Sequence, residues 1–240
     1  MCMKVTLPFK YQTYDSMPIL SGQWQQGSFF TYEQQFGTSE TIKVEAELVE
    51  WLFNNNTFKQ MLFEELRLSS TPSHKLQIKK KLLLPNYRKE GDLDAVICNR
   101  YSELIGIEFK KVKAIVRNND DNYINKISGI SDGVFQVNRL IDRGLHQCYL
   151  AILIMVDGRD KTSDNSFFRG LTDEMLSWVY NFDYREKLKD AAGLIFIELV
   201  QTTGSPLSKR GTIGICVEKY ANPQDQSVEI TNRFKKLFNN

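Results

Sequence analysis

Between Gly91 and Lys111 the chain reads GDLDAVICNRYSELIGIEFKK, two apolar strand-like runs carrying charges where a plain core strand would not. Asp92 and Asp94 interrupt the first run, and Glu108 and Lys110 interrupt the second. Side chains two apart on a strand share a face, so Glu108 and Lys110 point the same way. If the runs are neighbouring strands, Asp94 joins them in a small acidic pocket with a lysine at its lip. Carboxylates are hard oxygen ligands suited to Mg²⁺, which takes one or two of them and completes its shell with water and phosphate. Such an ion neutralises charge and lowers the pKa of a bound water, which is what phosphodiester hydrolysis requires. A lysine alongside orients that water or offsets phosphate charge. Each piece also has an ordinary reading. Glu-x-Lys on a strand is commonly an edge ion pair, and acids near a turn are commonly turn-flanking residues. The apolar flanks LDAVI and IGIEF weigh against both, because an acid buried there is costly without a metal or partner.

The elements around these strands follow from periodicity. Residues 1–37 are aromatic and glutamine-rich, with no helical period, and read as an N-terminal arm of short strands or extended chain. Thr38-Ser39-Glu40 signals a helix start, and the residues after it place Val44, Leu48, Trp51 and Leu52 on one side of an amphipathic helix. Asn54–Asn56 breaks it, and Thr57 is the expected cap of a second helix through Leu68. KLQIKKKLLL alternates as a strand, which with the two acidic runs makes an antiparallel meander. AIVRNNDDNYINKIS lacks period and reads as a long loop. A helix closed by Gly144 follows, and then HQCYLAILIMVD, apolar throughout as in a strand buried on both faces. Beyond Asp157 come a polar loop, a helical stretch, the strands GLIFIELVQ and GTIGICVEKY, and a short basic amphipathic helix.

With these motifs in order, the chain resembles the PD-(D/E)xK, or restriction-endonuclease-like, nucleases over roughly residues 38–156. Gly91-x-x-Asp94 is similar to that family's metal-binding strand, and Ile107-Glu108-Phe109-Lys110 to its E-x-K strand. Glu45-Ala-Glu-Leu-Val resembles the corresponding helix of archaeal Holliday-junction resolvases, in which the first glutamate completes the site. The order helix, three strands, helix, strand matches that core. The resemblance implies an α/β (α+β) fold with a central mixed sheet flanked by helices (αβββαβ), preceded by the 1–37 arm. The nuclease domain would span 38–240, with a C-terminal extension from about 157. It further implies that Asp94, Glu108 and Glu45 hold Mg²⁺ (Mn²⁺ able to substitute), that Lys110 serves the water, and that Asp92 and Gln136 are auxiliary. Lys80, Lys111, Lys113 and Arg117 are candidates for contacts that position DNA without reading its sequence. The substrate would be duplex or branched DNA, and a homodimer would address two strands. Departures are the absence of a proline before Asp94, the extra acid at Asp92, and long terminal segments the small resolvases lack. The added arm and C-terminal half, as a source of target recognition, favour a restriction, defence or repair endonuclease over a junction resolvase. A catalytically silent nucleic-acid-binding or assembly module on the same fold is the reading from another class.

Composition limits the alternatives. The 240 residues are 42% hydrophobic and 25% charged, with a net charge of +2, so phosphate binding must come from local clusters rather than a global field. Cys2, Cys98, Cys148 and Cys216 form no CxxC pair, and with His74 and His146 as the sole histidines a zinc site is not expected. Neither GxGxxG nor GxxxxGK[ST] occurs, so no nucleotide cofactor is expected, and no GxSxG signals a hydrolase triad. With no membrane-length apolar run and no leader-like N-terminus, a cytoplasmic protein is the expectation.

Overall fold

Strand order is dictated by which runs can be buried on both faces. The computed structural model describes residues 7–14, 23–25, 28–30, 45–68, 72–84, 91–116, 122–125, 127–157, 173–201 and 211–238. Its centre is three parallel strands, β6 (Leu104–Val116), β8 (Gln147–Asp157) and β9 (Gly193–Gln201). On β8, Cys148, Leu150, Ile152 and Ile154 enter one core while Tyr149, Ala151 and Leu153 enter the other, so one apolar run fills both. Antiparallel strands complete the sheet on each side. β5 (Asp92–Cys98) and β4 (Ser73–Lys79) follow β6, and β10 (Gly211–Lys219) and β1 (Lys10–Tyr14) follow β9, giving the order β1-β10-β9-β8-β6-β5-β4. β2 (Gln23–Gln25) and β3 (Ser28–Phe30) form a separate two-stranded ribbon, and β7 (Asn122–Asn125) pairs with the end of β6.

The molecule is therefore an α+β fold with a mixed sheet between two helical layers. α1 (Glu45–Asn54) and α2 (Asn56–Glu65) cover one face through Leu48, Leu52, Phe53, Phe58 and Leu62, against Ile105, Ile107 and Phe109 of β6. α4 (Ile127–Asp142), α5 (Asp173–Tyr180) and α6 (Val228–Phe238) cover the other through Val134, Val137, Val179, Ile230 and Phe234. α4 stops where Gly144 takes a left-handed backbone (φ +83°) that L side chains resist. Among the described residues no helix is long and apolar enough to cross a membrane. Cys98, Cys148 and Cys216 are free thiols, and Cys2 lies outside the described residues.

Several local expectations need correction. The strand through KLQIKKKLLL ends at Lys79, and Lys80–Leu83 forms a single helical turn, α3. That turn buries Leu83 and Leu84, which a continued strand would have placed on opposite faces. Part of the segment read as a long loop is strand, since β6 runs on to Val116 and β7 pairs antiparallel with its end. Asn55, not Thr57, caps α2, its Oδ1 accepting from the N–H groups of Thr57 (3.1 Å) and Phe58 (3.2 Å). Within the N-terminal segment, read as short strands or extended chain, Lys10–Tyr14 forms β1 at one edge of the main sheet. The expected helix start at Thr38–Glu40 lies outside the described residues.

Candidate active site

The site lies where the sheet forks. β5 pairs with β6 from Cys98↔Leu104 to Ala95↔Ile107 and then departs, and β7 takes up the same edge only at Lys113↔Asn125. Between these points Glu108–Val112 pair with β8 on one side, and among the described residues no strand pairs with them on the other. Buried backbone donors must find partners, and here carboxylates supply them. Asp94 Oδ2 accepts from the Phe109 N–H at 2.7 Å, and Glu45 Oε2 accepts from the Lys111 N–H at 2.6 Å. Two acids from separate elements thus stand in for the missing strand.

Local irregularity aims Asp94 into the fork. Leu76↔Ala95 and Ile78↔Leu93 pair across β4 and β5, but the Gln77–Asp94 rung between them is missing and Gln77 has a positive φ of 51°. Leu93 and Val96 both enter the α4-side core while Ala95 and Ile97 enter the other, so strict alternation fails around Asp94. Glu45 arrives from the first turn of α1, which packs on the β6 face bearing Phe109.

Glu108 and Lys110 occupy the opposite face of β6 from Ile107 and Phe109, as their spacing requires. Glu108 is 1% exposed and contacts the ammonium of Lys80, itself 3% exposed, in a buried ion pair. The atom that meets the ammonium is Glu108 Oε1. The Lys110 Nζ lies 3.7 Å from Glu45 Oε1, and its stem runs against Gly133 of α4. A Cβ at Gly133 would stand 2.8 Å from Lys110 Cγ and 2.7 Å from Leu150 Cδ1, so only glycine leaves the lysine its track.

Electrostatics follow from burial and crowding. Burial raises the Asp94 carboxyl above its ordinary range, opposed by Lys110 and the Phe109 N–H and reinforced by Glu45. Burial and the neighbouring Asp94 raise Glu108 further, to about 7, against the pull of Lys80 and Lys110. Acids whose ionisation is resisted by burial and by a neighbouring carboxylate are those a cation would relieve. Asp94 and Glu108 fit a hard divalent ion as an oxygen pair, the number Mg²⁺ ordinarily takes from protein. Glu45 is engaged by the Lys111 N–H and Lys110, and among the described residues no three His, Cys, Asp or Glu side chains form a ready-made cage.

The structure brings Glu45, Asp94, Glu108 and Lys110 together. Lys80 is there too, but buried against Glu108 rather than on the surface where a DNA contact was expected. Lys111 is also buried, at 7% exposure. Lys113 lies on the β6–β7 hairpin with its side chain outside the described residues, as is Arg117 altogether. Asp92 is exposed and faces Lys79 across the ladder. Gln136 is half-buried on α4, one turn beyond Gly133, and its buried Oε1 meets no hydrogen-bond partner among the described residues. Sequence reasoning missed Gly133, and it missed Lys80 as a member of the pocket. Three successive lysines give no sign of which one turns inward, whereas a glycine inside a helical pattern is a legible mark of close approach. Neither protein-family models nor curated protein sequences match the chain.

Proposed function

We propose that the protein is a divalent-metal-dependent nuclease of the PD-(D/E)xK type, with a restriction-endonuclease-like core, hydrolysing DNA phosphodiester bonds. The observation supporting this reading is the forked edge of β6, where Asp94 and Glu45 cap the Phe109 and Lys111 N–H groups around Glu108 and Lys110. Asp94 and Glu108 are the proposed metal ligands. Mg²⁺ bound there would offset phosphate charge and make water a competent nucleophile near neutral pH. Lys110 presents its ammonium to the attacked phosphate and the water. Glu45 holds that ammonium in place and fixes the β6 backbone, which makes it a positioning residue in this reading rather than a ligand. Lys80 holds charge opposite Glu108 and shields it from solvent.

The test is cleavage of supercoiled plasmid, linear duplex, single strand, RNA and a four-way junction in Mg²⁺, Mn²⁺ or EDTA. Asp94→Asn and Glu108→Gln should abolish cleavage, and Lys110→Met should slow it about 10²- to 10⁴-fold. Cleavage surviving all three substitutions would refute the site. One observation favours a second reading. Lys80 already neutralises Glu108 without a metal, as in a silent nucleic-acid-binding module. Binding to these substrates without cleavage under any metal would select it.

A further inference from the structure

A pocket of about 560 Å³ opens between the first turns of α4 and the turn that follows α5. Its walls are Ser128 and Ser131 of α4 with Trp178, Asn181, Asp183 and Tyr184. Two of these are large aromatics left in solvent, Trp178 at 51% and Tyr184 at 38% exposure. Tyr184 holds an unfavourable left-handed backbone (φ 71°), which a non-glycine residue adopts only where its surroundings enforce it. The enforcement is visible. Phe135 of α4 meets the Tyr184 ring edge-on at 6.0 Å, and the Lys187 ammonium sits 4.1 Å from its centroid. The ammonium thus covers one face of the ring, and the ring lines the pocket.

We propose that this pocket receives an unstacked nucleobase, so that the substrate of the fork is a strand carrying unpaired nucleotides. The proposal rests on the nuclease reading and narrows its substrate class. Every base has a π-face for Trp178 and Tyr184 to stack on. The polar groups suit a base edge better than a phosphate. Asp183 accepts from an exocyclic amine and would repel an anion. The Ser131 hydroxyl already donates to the Ser128 carbonyl at 2.5 Å and so offers its lone pairs. Lys187 supplies the positive charge for the adjoining backbone. α4 turns Gly133 toward Lys110 and its other flank, with Ser128, Ser131 and Phe135, toward the pocket. α4, a helix about 10 Å across, thus stands between the pocket and the fork, and a run of unpaired strand passing over it would reach both.

The experiment is fluorescence anisotropy in EDTA, where no cleavage intervenes, with labelled oligothymidylate, oligouridylate, an abasic oligomer of equal length and a blunt duplex. Trp178→Ala and Tyr184→Gly should each weaken both intact single strands about 10-fold or more. Trp178→Phe should bind as wild type, and duplex affinity should not move. Wild type should bind the abasic strand as weakly as the variants bind the intact one. Tyr184→Gly removes the strained residue, and urea denaturation confirms that each variant folds. Equal wild-type affinity for intact and abasic strands would overturn the proposal, as would unchanged single-strand binding in both variants. A parallel Mg²⁺ reaction with wild type and Asp94→Asn separates the two claims. Cleavage with pocket variants indistinguishable from wild type in binding defeats the pocket alone. Base-dependent binding without cleavage defeats the nuclease reading and leaves the pocket standing. The thymidylate and uridylate arms show whether the base comes from DNA or RNA.

Discussion

Gly133→Ala tests how tightly the lysine of the fork is held, because two effects of known size oppose each other. Alanine in a helix interior is favoured over glycine by about 1 kcal/mol. Here the new methyl would stand 2.7 Å from Leu150 Cδ1 and 2.8 Å from Lys110 Cγ, closer than carbon atoms tolerate. Neither neighbour yields easily. Leu150 is fully buried on β8, and Cγ lies near the root of the lysine rather than at its free end. Overpacking of this kind costs about 1–3 kcal/mol, so the net change should be a loss of up to about 2 kcal/mol. The same push moves the Lys110 stem, and displacements near 1 Å can cost about 10²-fold in rate. Urea denaturation of the single variants and the double variant with Lys110→Ala gives a coupling energy. With the lysine stem removed, half of the clash disappears, so Gly133→Ala should cost less in that background. A variant more stable than wild type by the full helix propensity, additive with Lys110→Ala within about 0.5 kcal/mol, would refute the close contact.

Glu108 predicts a pH signature without metal. Its carboxyl sits at about 7 in the folded chain against an ordinary 4.5, so the folded state keeps the proton across that window while the unfolded state releases it. Stability attributable to this group therefore falls as pH rises from 4.5 to 7, by about 3 kcal/mol in all. Glu108→Gln should gain on wild type by that amount between pH 4 and pH 8 in EDTA denaturations, and a constant difference would contradict the assignment. Asp94→Ala strands the Phe109 N–H and should cost about 1–3 kcal/mol. Asp94→Asn keeps an acceptor and should lose far less, so equal thermal shifts for the two would count against the cap. Asn55→Ala should cost about 1 kcal/mol through loss of the α2 cap, read by urea midpoint, with no change in any cleavage activity.

What was legible in the chain was what is local. The runs LDAVI and IGIEF became adjacent antiparallel strands, and the Glu108–Lys110 spacing put both side chains on one face of β6. Helix, meander, helix and buried strand follow one another as read, with a helical turn after β4 and the added strand β7 before α4. What was not legible depends on tertiary pairing. Nothing in KKKLLL shows that the chain curls after Lys79, because the inward turn is set by burial of Leu83 and Leu84 and by the acid waiting at Glu108. The polar stretch after Lys113 lacks apolar alternation, yet it pairs because β6 offers an open edge once β5 has left. Glu45 was singled out by resemblance alone. Its physical role, capping the Lys111 N–H, exists only once the fork has formed.

The position of β1 also imposes an order of events on synthesis. Lys10 pairs with Ile215, about 200 positions later, and Tyr11 donates a 2.6 Å hydrogen bond to the buried carboxylate of Glu198. At typical elongation rates the first strand waits roughly 10–40 s for its partner to leave the ribosome. Meanwhile α1, the meander, α4 and β8 are all available, so every residue of the fork emerges before the sheet can be closed. When β9 and β10 do appear, the outer edge of β10 is an open hydrogen-bonding template until β1 returns to it. The outermost strand on this side of the sheet is thus the first one made, and a chain cleaved near its N-terminus after synthesis would carry an intact fork with the outer edge of β10 bare to recruit a second molecule.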